Sequence, residues 1–223
     1  VLGGLLSITS VGLKPLQDKQ VELDTKKKIL GAVMTLDSEA TPEEVLALYD
    51  ARVKSMLIDI NGNEVTNATV KAEKIDIGKN HKVVKDQRNY PIFMFMNEAG
   101  EVDAYIIPMF GAGLWDWISG YVALDRDLNT IKGVAFDHKS ETPGLGARIT
   151  EEGVKARYQG KTIYEGSELV SVTMVKGEGN TGLSDHQVDG LSGATMTAKG
   201  VNQMLDYYLD CYKAFIEKNR KAL

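Results

Sequence analysis

The sequence predicts an α+β domain in which an antiparallel sheet is flanked by helices, and three observations predict it. Apolar and β-rich runs between residues 91 and 136 follow one another with only turn-length breaks, so strands that are neighbours in the chain pair with each other. Helical spacing of apolar residues is confined to a segment beginning at Thr41 and to the carboxyl end, outside those runs. The 223 residues, 43% hydrophobic and 26% charged, are enough to bury a core, which excludes a disordered, collagenous or coiled-coil chain. Strands grouped together with helices beside them give a layered domain and not a doubly wound parallel sheet.

The amino terminus carries no charge before Lys14. Thirteen residues span about 20 Å as a helix, against roughly 30 Å of bilayer hydrocarbon, so this stretch alone does not cross a membrane. It reads as the C-terminal part of a membrane anchor, the tail of a signal peptide or a core helix. Residues 14–40 form a linker, with a charged, helical stalk over 20–30, and the folded domain covers 41–223. Thr41-Pro42-Glu43-Glu44 unites an N-cap hydroxyl, a proline at the first helical position and a glutamate placed for a capping box. Val45, Leu48, Tyr49, Val53, Met56 and Leu57 recur at helical spacing, so that helix is expected to run to Leu57. Residues 58–85 are polar, with a turn at Asn61-Gly62-Asn63.

A hairpin is expected from residues 91–96 and 102–108 around Asn97-Glu98-Ala99-Gly100, with further strands at 118–124, 131–136 and 169–175. A helix is expected over 149–158 and another at the carboxyl end. The latter places Val201, Met204, Leu205, Tyr208, Tyr212 and Phe215 on one stripe, which packing explains better than an aromatic cofactor box, and Lys218, Arg220 and Lys221 near its end suit the negative pole of its dipole.

A formal charge of -5 and a pI near 5.3 argue against a nucleic-acid partner, which requires a basic face. The single cysteine, Cys211, forms neither an internal disulfide nor a thiolate metal site. No Gly-x-Gly-x-x-Gly strand-to-helix motif and no cysteine set for an iron-sulfur cluster is present, so the chain is expected neither to bind NADH nor to hold a cluster.

Chemistry concentrates just before the last helix, in Asp189-Gly190-Leu191-Ser192-Gly193-Ala194-Thr195-Met196-Thr197. Small residues let backbone approach a ligand, and hydroxyls at a helix start stand beside unpaired amide hydrogens that favour a phosphate. A helix cap without ligand is the plain alternative, as in a non-redox binding or scaffold domain with Ser192 to Thr195 as the cap. A nucleophile elbow at Ser192, with His186 or His138 as base and Asp185 as orienter, fits badly because a polar loop precedes the serine. His81 and His186 lie in polar stretches and are expected to be solvated, whereas His138 adjoins a second motif.

Asp189 to Thr195 resembles the pattern of FMN-binding domains that carry flavin on a threonine through a phosphoester. His138-Lys139-Ser140-Glu141-Thr142-Pro143-Gly144-Leu145-Gly146 is similar to the second flavin-site loop of that family. Gly111-Ala112-Gly113-Leu114-Trp115 resembles an element of the C subunits of sodium-translocating NADH:quinone reductases. The segment from Val11 to Gln17 and the stretch over 23–30 are similar to the membrane exit and stalk of those subunits, which favours the anchor reading of residues 1–13. The G subunits of Rnf-type electron-transport complexes share the threonine motif and are the alternative.

The resemblance implies covalent FMN on Thr195, with Ser192, Gly193, Ala194, Met196, Thr197 and Asp189 around the phosphate. Glu141, Thr142, Gly144 and Leu145 are implied to meet the isoalloxazine, and Leu114 and Trp115 to supply an apolar or stacking surface. Threonine is a poor nucleophile unaided, and the family implies that a magnesium-dependent flavin transferase attaches the flavin from FAD, with Asp189 helping to bind its metal or accepting the threonine proton. No residue here is then catalytic or a resident metal ligand. The chain is expected to relay electrons within a multisubunit translocase of the bacterial inner membrane, on a single-pass anchor, with its soluble domain on the periplasmic side.

Overall fold

The computed structural model describes the backbone of residues 2–220 and the side chains of residues 13–220. The first helix, α1 (Leu2–Gly31), runs without a break through Pro15. Among the described residues no helix is long and apolar enough to cross a membrane, and the side chains of residues 1–12, on which the anchor expectation falls, lie outside them. Leu13, Leu16 and Val21 of α1 are exposed, but Leu23, Ile29 and Leu30 are buried. The stalk segment therefore docks onto the domain with its last turns.

α2 (Pro42–Arg52) begins at the expected cap: the Glu44 N–H donates to the Thr41 hydroxyl at 3.3 Å, and the Thr41 N–H donates to the Glu44 carboxylate at 2.8 Å. It stops five residues short of the expected Leu57, because residues 53–58 form the edge strand β1 (Val53–Ile58). Leu57 and Ile58 are buried in different apolar clusters, as adjacent residues of a strand between two layers must be. Spacing over so few apolar residues did not separate the two periods.

After the short α3 (Ile77–His81) come β2 (Tyr90–Met96), β3 (Val102–Ala112), β4 (Trp117–Asp125) and β5 (Ile131–His138). The five strands pair antiparallel in the order β1-β2-β3-β4-β5, so the expected sheet is a meander.

The segment after β5 departs from expectation. In place of a helix over 149–158 stand a 3-10 turn (Gly146–Thr150), the four-residue α4 (Glu152–Lys155) and a second 3-10 turn (Ala156–Tyr158). Ten residues containing Gly153 are too few to sustain a helix without help from packing. The strand expected over 169–175 is broken by Ser171, whose φ of +60° lies in the left-handed region. What remains is β6 (Tyr164–Glu165) paired with β7 (Glu168–Leu169), and β8 (Thr173–Met174) parallel to β9 (Gln187–Val188).

The last helix, α5 (Thr195–Asn219), buries the whole predicted stripe from Val201 to Phe215. It covers one face of the sheet, against Ile107, Met109, Ile118 and Val122, and the Tyr212 hydroxyl donates to the Pro91 carbonyl at 2.8 Å. The opposite face, with Phe93, Phe95, Ala104, Ile106 and Ala123, is covered by α1 and α2. Three layers result, and both faces of the sheet are dry, which explains why β2 is apolar at nearly every position.

Candidate functional site

A cleft of about 190 Å³ opens where three segments distant in sequence meet. The turn between β3 and β4 contributes Leu114, the loop after β5 contributes Glu141, Thr142, Leu145 and Gly146, and the start of α5 contributes Gly193, Ala194, Thr195, Met196 and Thr197. Each of the three sequence motifs thus supplies a wall.

Glu141 holds the walls together. It is only 4% exposed, and its Oε1 accepts the backbone N–H groups of Leu114 (2.8 Å) and Trp115 (3.1 Å) while its Oε2 accepts the Thr197 hydroxyl (2.5 Å). Its carboxylate faces inward, to donors of this chain. Gly146 is required beside it, since a Cβ there would stand 2.5 Å from Thr197 Oγ1 and against the Glu141 carboxylate.

The two threonines of the motif differ in access. Thr197 is buried, with its hydroxyl committed to Glu141, whereas Thr195 is exposed on the cleft wall at the first residue of α5. Ala194 at the N-cap provides no side-chain cap, so the amide hydrogens of that first turn retain their capacity for an acceptor.

Not every predicted residue lines the cleft. Trp115 stands at its rim, 68% exposed, with its indole N–H donating to the Thr142 hydroxyl at 3.1 Å. Gly144 serves the turn at a φ of +73°. Ser192 is exposed just before the cleft-lining Gly193, and its N–H donates to Glu178 at 3.3 Å. Asp189 lies outside the cleft and organises the preceding loop, accepting the N–H groups of Gly179 (2.8 Å), Asn180 (2.9 Å) and Gly190 (3.0 Å). The hydrogen bonds from Gly179 and Asn180 pull its pKa down to about 2.

Neither of the histidines expected to be solvated is so. Half-buried His81 bonds the Tyr208 hydroxyl through Nδ1 at 3.1 Å, and half-buried His186 turns Nδ1 to the Thr162 carbonyl at 2.7 Å. The Nδ1 of His138 accepts the Glu141 N–H at 3.3 Å, which fixes the loop. Sequence reasoning missed Arg148, Arg157 and Glu178: Arg157 Nη1 donates to the carbonyls of Asp189 (3.1 Å) and Gly190 (2.5 Å), clamping the motif from behind. Their only signal was charge in a stretch read as helix and in a glycine-rich loop.

Comparison with known proteins matches residues 113–210 to the FMN-binding domain family. The C subunit of the Na(+)-translocating NADH-quinone reductase of Pseudomonas aeruginosa is 32% identical over 96% of this chain and 88% of its own length. The crystal structure of the corresponding C subunit from Parabacteroides distasonis superposes with a TM-score of 0.78 at 33% identity, covering 92% of this chain and 96% of that one. Shewanella oneidensis NqrC gives a TM-score of 0.78 at 25% identity, over 91% of this chain and 99% of that one. The chain belongs to this NqrC family. As an NqrC family member it is an electron-transfer protein of the reductase, and FMN is its cofactor.

The residues of this NqrC-type site suit FMN. A phosphate would meet an uncapped helix start beside an exposed hydroxyl, and a ring would meet an apolar rim made by Leu114, Trp115, Leu145 and Met196, all exposed. A cleft of about 190 Å³ is smaller than enclosed small-molecule pockets of roughly 300–1,000 Å³, which fits a ligand secured at one end and open at the other. A larger cavity of about 830 Å³ lies beside α1 and α3 and is lined by none of these motif residues.

Proposed function

We propose that this chain is the electron-carrying flavoprotein subunit of a sodium-pumping NADH:quinone oxidoreductase, holding FMN through a phosphoester on Thr195 and relaying electrons between other subunits. One observation carries the reading: Thr195 is exposed on the wall shared by the flavin motifs, while its neighbour Thr197 is buried and bonded to Glu141. FMN supplies the redox chemistry when bound, and the protein supplies placement.

Attachment requires a partner enzyme, a magnesium-dependent flavin transferase. Thr195 Oγ1 bonds to the FMN-side phosphorus of FAD, the pyrophosphate P–O bond to AMP breaks, AMP leaves, and the hydroxyl proton passes to a base of the transferase. Asp189 is a poor base for that proton, given a pKa of about 2 and its hydrogen bonds to loop N–H groups. Its part is to shape the loop leading to Thr195. The remaining diester charge sits favourably at the positive end of α5.

Leu114, Trp115, Leu145 and Met196 form the face against which redox partners dock, since electrons must leave where the ring is reachable. The uncharged stretch before Lys14, whose residues from Leu2 onward begin α1, serves as the C-terminal part of a membrane anchor and holds the domain on the periplasmic side; protease added to sealed right-side-out vesicles checks that side.

Denatured protein from a host containing the transferase is expected to fluoresce on a gel, and Thr195→Val to abolish the signal. Peptide mapping by mass is expected to find FMN on the segment containing Thr195. FMN on Thr197, or an unmodified peptide from the assembled native enzyme, would overturn the assignment.

A further inference from the structure

Beside the flavin cleft, four N–H donors converge on one carboxylate. Glu178 Oε1 accepts Arg148 Nη2 at 2.8 Å and Arg157 Nη2 at 2.9 Å; Oε2 accepts Arg148 Nη1 at 2.9 Å and the Ser192 N–H at 3.3 Å. Each oxygen receives two hydrogen bonds, and the Arg148 fork is bidentate, the geometry that guanidinium groups use to recognise carboxylate and phosphate. We propose that Arg148, Arg157 and the Ser192 N–H form an oxyanion site whose resident occupant is the chain's own Glu178, and that this carboxylate staples the two walls of the flavin cleft.

Three features support it. The donors and the acceptor belong to separate segments. Arg148 stands in the 3-10 turn that opens at the cleft-lining Gly146, Arg157 in the next such turn, and Ser192 immediately before the cleft-lining Gly193. Glu178 comes from the loop between β8 and β9, between Gly177 (φ +83°) and Gly179 (φ +88°), so the occupant is delivered by a loop that is not itself part of the site. Bridging Arg148 to Ser192 therefore ties the 141–146 wall to the 193–197 wall through residues that flank each of them, in addition to the Glu141 bonds.

The surrounding charges leave the site with directional donors and no large surplus of charge. Glu151 bonds Arg148 Nε at 3.3 Å, and Asp189 lies 3.9 Å from Arg157 Nη1. Recognition rests on the fork and the amide, so the ligand class is a small planar or tetrahedral oxyanion: a carboxylate or a phosphate. Glu178 retains 27% of its side-chain exposure, so such an anion reaches the donors from solvent once the carboxylate is removed.

The test is chemical rescue in the full chain made in a host without the transferase, which keeps it independent of any flavin on Thr195. Glu178→Ala is expected to lower the Tm by about 5 °C or more, because four hydrogen bonds to the carboxylate are lost together. Sodium acetate or inorganic phosphate is expected to restore at least half of that loss relative to sodium chloride at equal ionic strength. The wild type, with its site filled, is expected to respond to these anions as it does to chloride, and adding Arg157→Gln to Glu178→Ala to abolish the rescue. If Glu178→Ala does not fold, the Tm of Glu178→Gln, which fills the site without the charge, is compared with wild type: a lower Tm is expected, and an equal one overturns the proposal. An unchanged Tm, or no advantage of either anion over chloride, overturns the proposal and leaves the Thr195 attachment untouched.

Discussion

The meander sheet and the segment from residue 139 to residue 194 solve the same problem in opposite ways. In the sheet, backbone pairs with backbone along every strand, and apolar side chains alternate between two covered faces, so each residue is one of many similar supports. In the segment after it, regular pairing shrinks to two-residue strands, and backbone groups turn to carboxylates. Glu141 takes the N–H groups of Leu114 and Trp115, Glu178 that of Ser192, and Asp189 those of Gly179, Asn180 and Gly190. Support spread over many contacts yields gradually, whereas support focused on three side chains is lost all at once. The cleft belongs to the second kind.

The largest effect should come from the most buried of these carboxylates. Glu141→Ala strands the Thr197 hydroxyl and two backbone donors, at a cost of about 3 kcal/mol in urea unfolding of the full chain. Glu141→Gln, which keeps one acceptor oxygen, should cost less. Gly200→Ala comes next, at about 2 kcal/mol, because the added Cβ meets the Ala112 carbonyl, a backbone atom that cannot turn aside. On the proposed attachment of FMN to Thr195, it should also reduce the yield of covalent flavin, since Ala112 leads into the turn bearing Leu114. In the sheet, Ile106→Val should cost about 1 kcal/mol and leave flavin attachment unchanged. Equal losses for Glu141→Ala and Ile106→Val would erase the distinction between focused and distributed support.

The same distinction explains what was legible in the sequence. Strands over 91–96, 102–108, 118–124 and 131–136 could be read because alternation and turn residues are local signals, and so could the capping box at Thr41 and the stripe of α5. Residues 53–57 were misread as helix because Val53, Met56 and Leu57 continue the three-and-four spacing of α2, and pairing with β2 overrides that local pattern. The cleft-lining residues were legible through motif resemblance. The acceptors of Glu141 and Glu178 face donors 27 and 30 residues away in sequence at Leu114 and Arg148, and no local pattern announces such a partner. Asp189 was placed beside the phosphate by the motif resemblance, whereas its oxygens accept hydrogen bonds from the loop at 179–180.

Asp189 offers the smallest test and the one most specific to the loop. Its pKa falls from near 3.8 to about 2 because the Gly179 and Asn180 N–H groups and the Asn180 side chain favour the ionised form. A depressed carboxylate contributes stability that is fully present above its unfolded value and is lost as the pH falls through its folded value. Glu178, held well below the usual carboxylate range chiefly by Arg148 and Arg157, follows the same sign at still lower pH. Thermal melts of wild type and Asp189→Asn should therefore differ by a constant amount above pH 5 and converge between about pH 4 and pH 2, as protonation deprives the wild type of what the variant already lacks. Ile106→Val should show no such convergence. A gap between wild type and Asp189→Asn that persists unchanged to pH 2 would mean that the carboxylate charge does not hold the loop, and that shape alone positions the residues leading to Thr195.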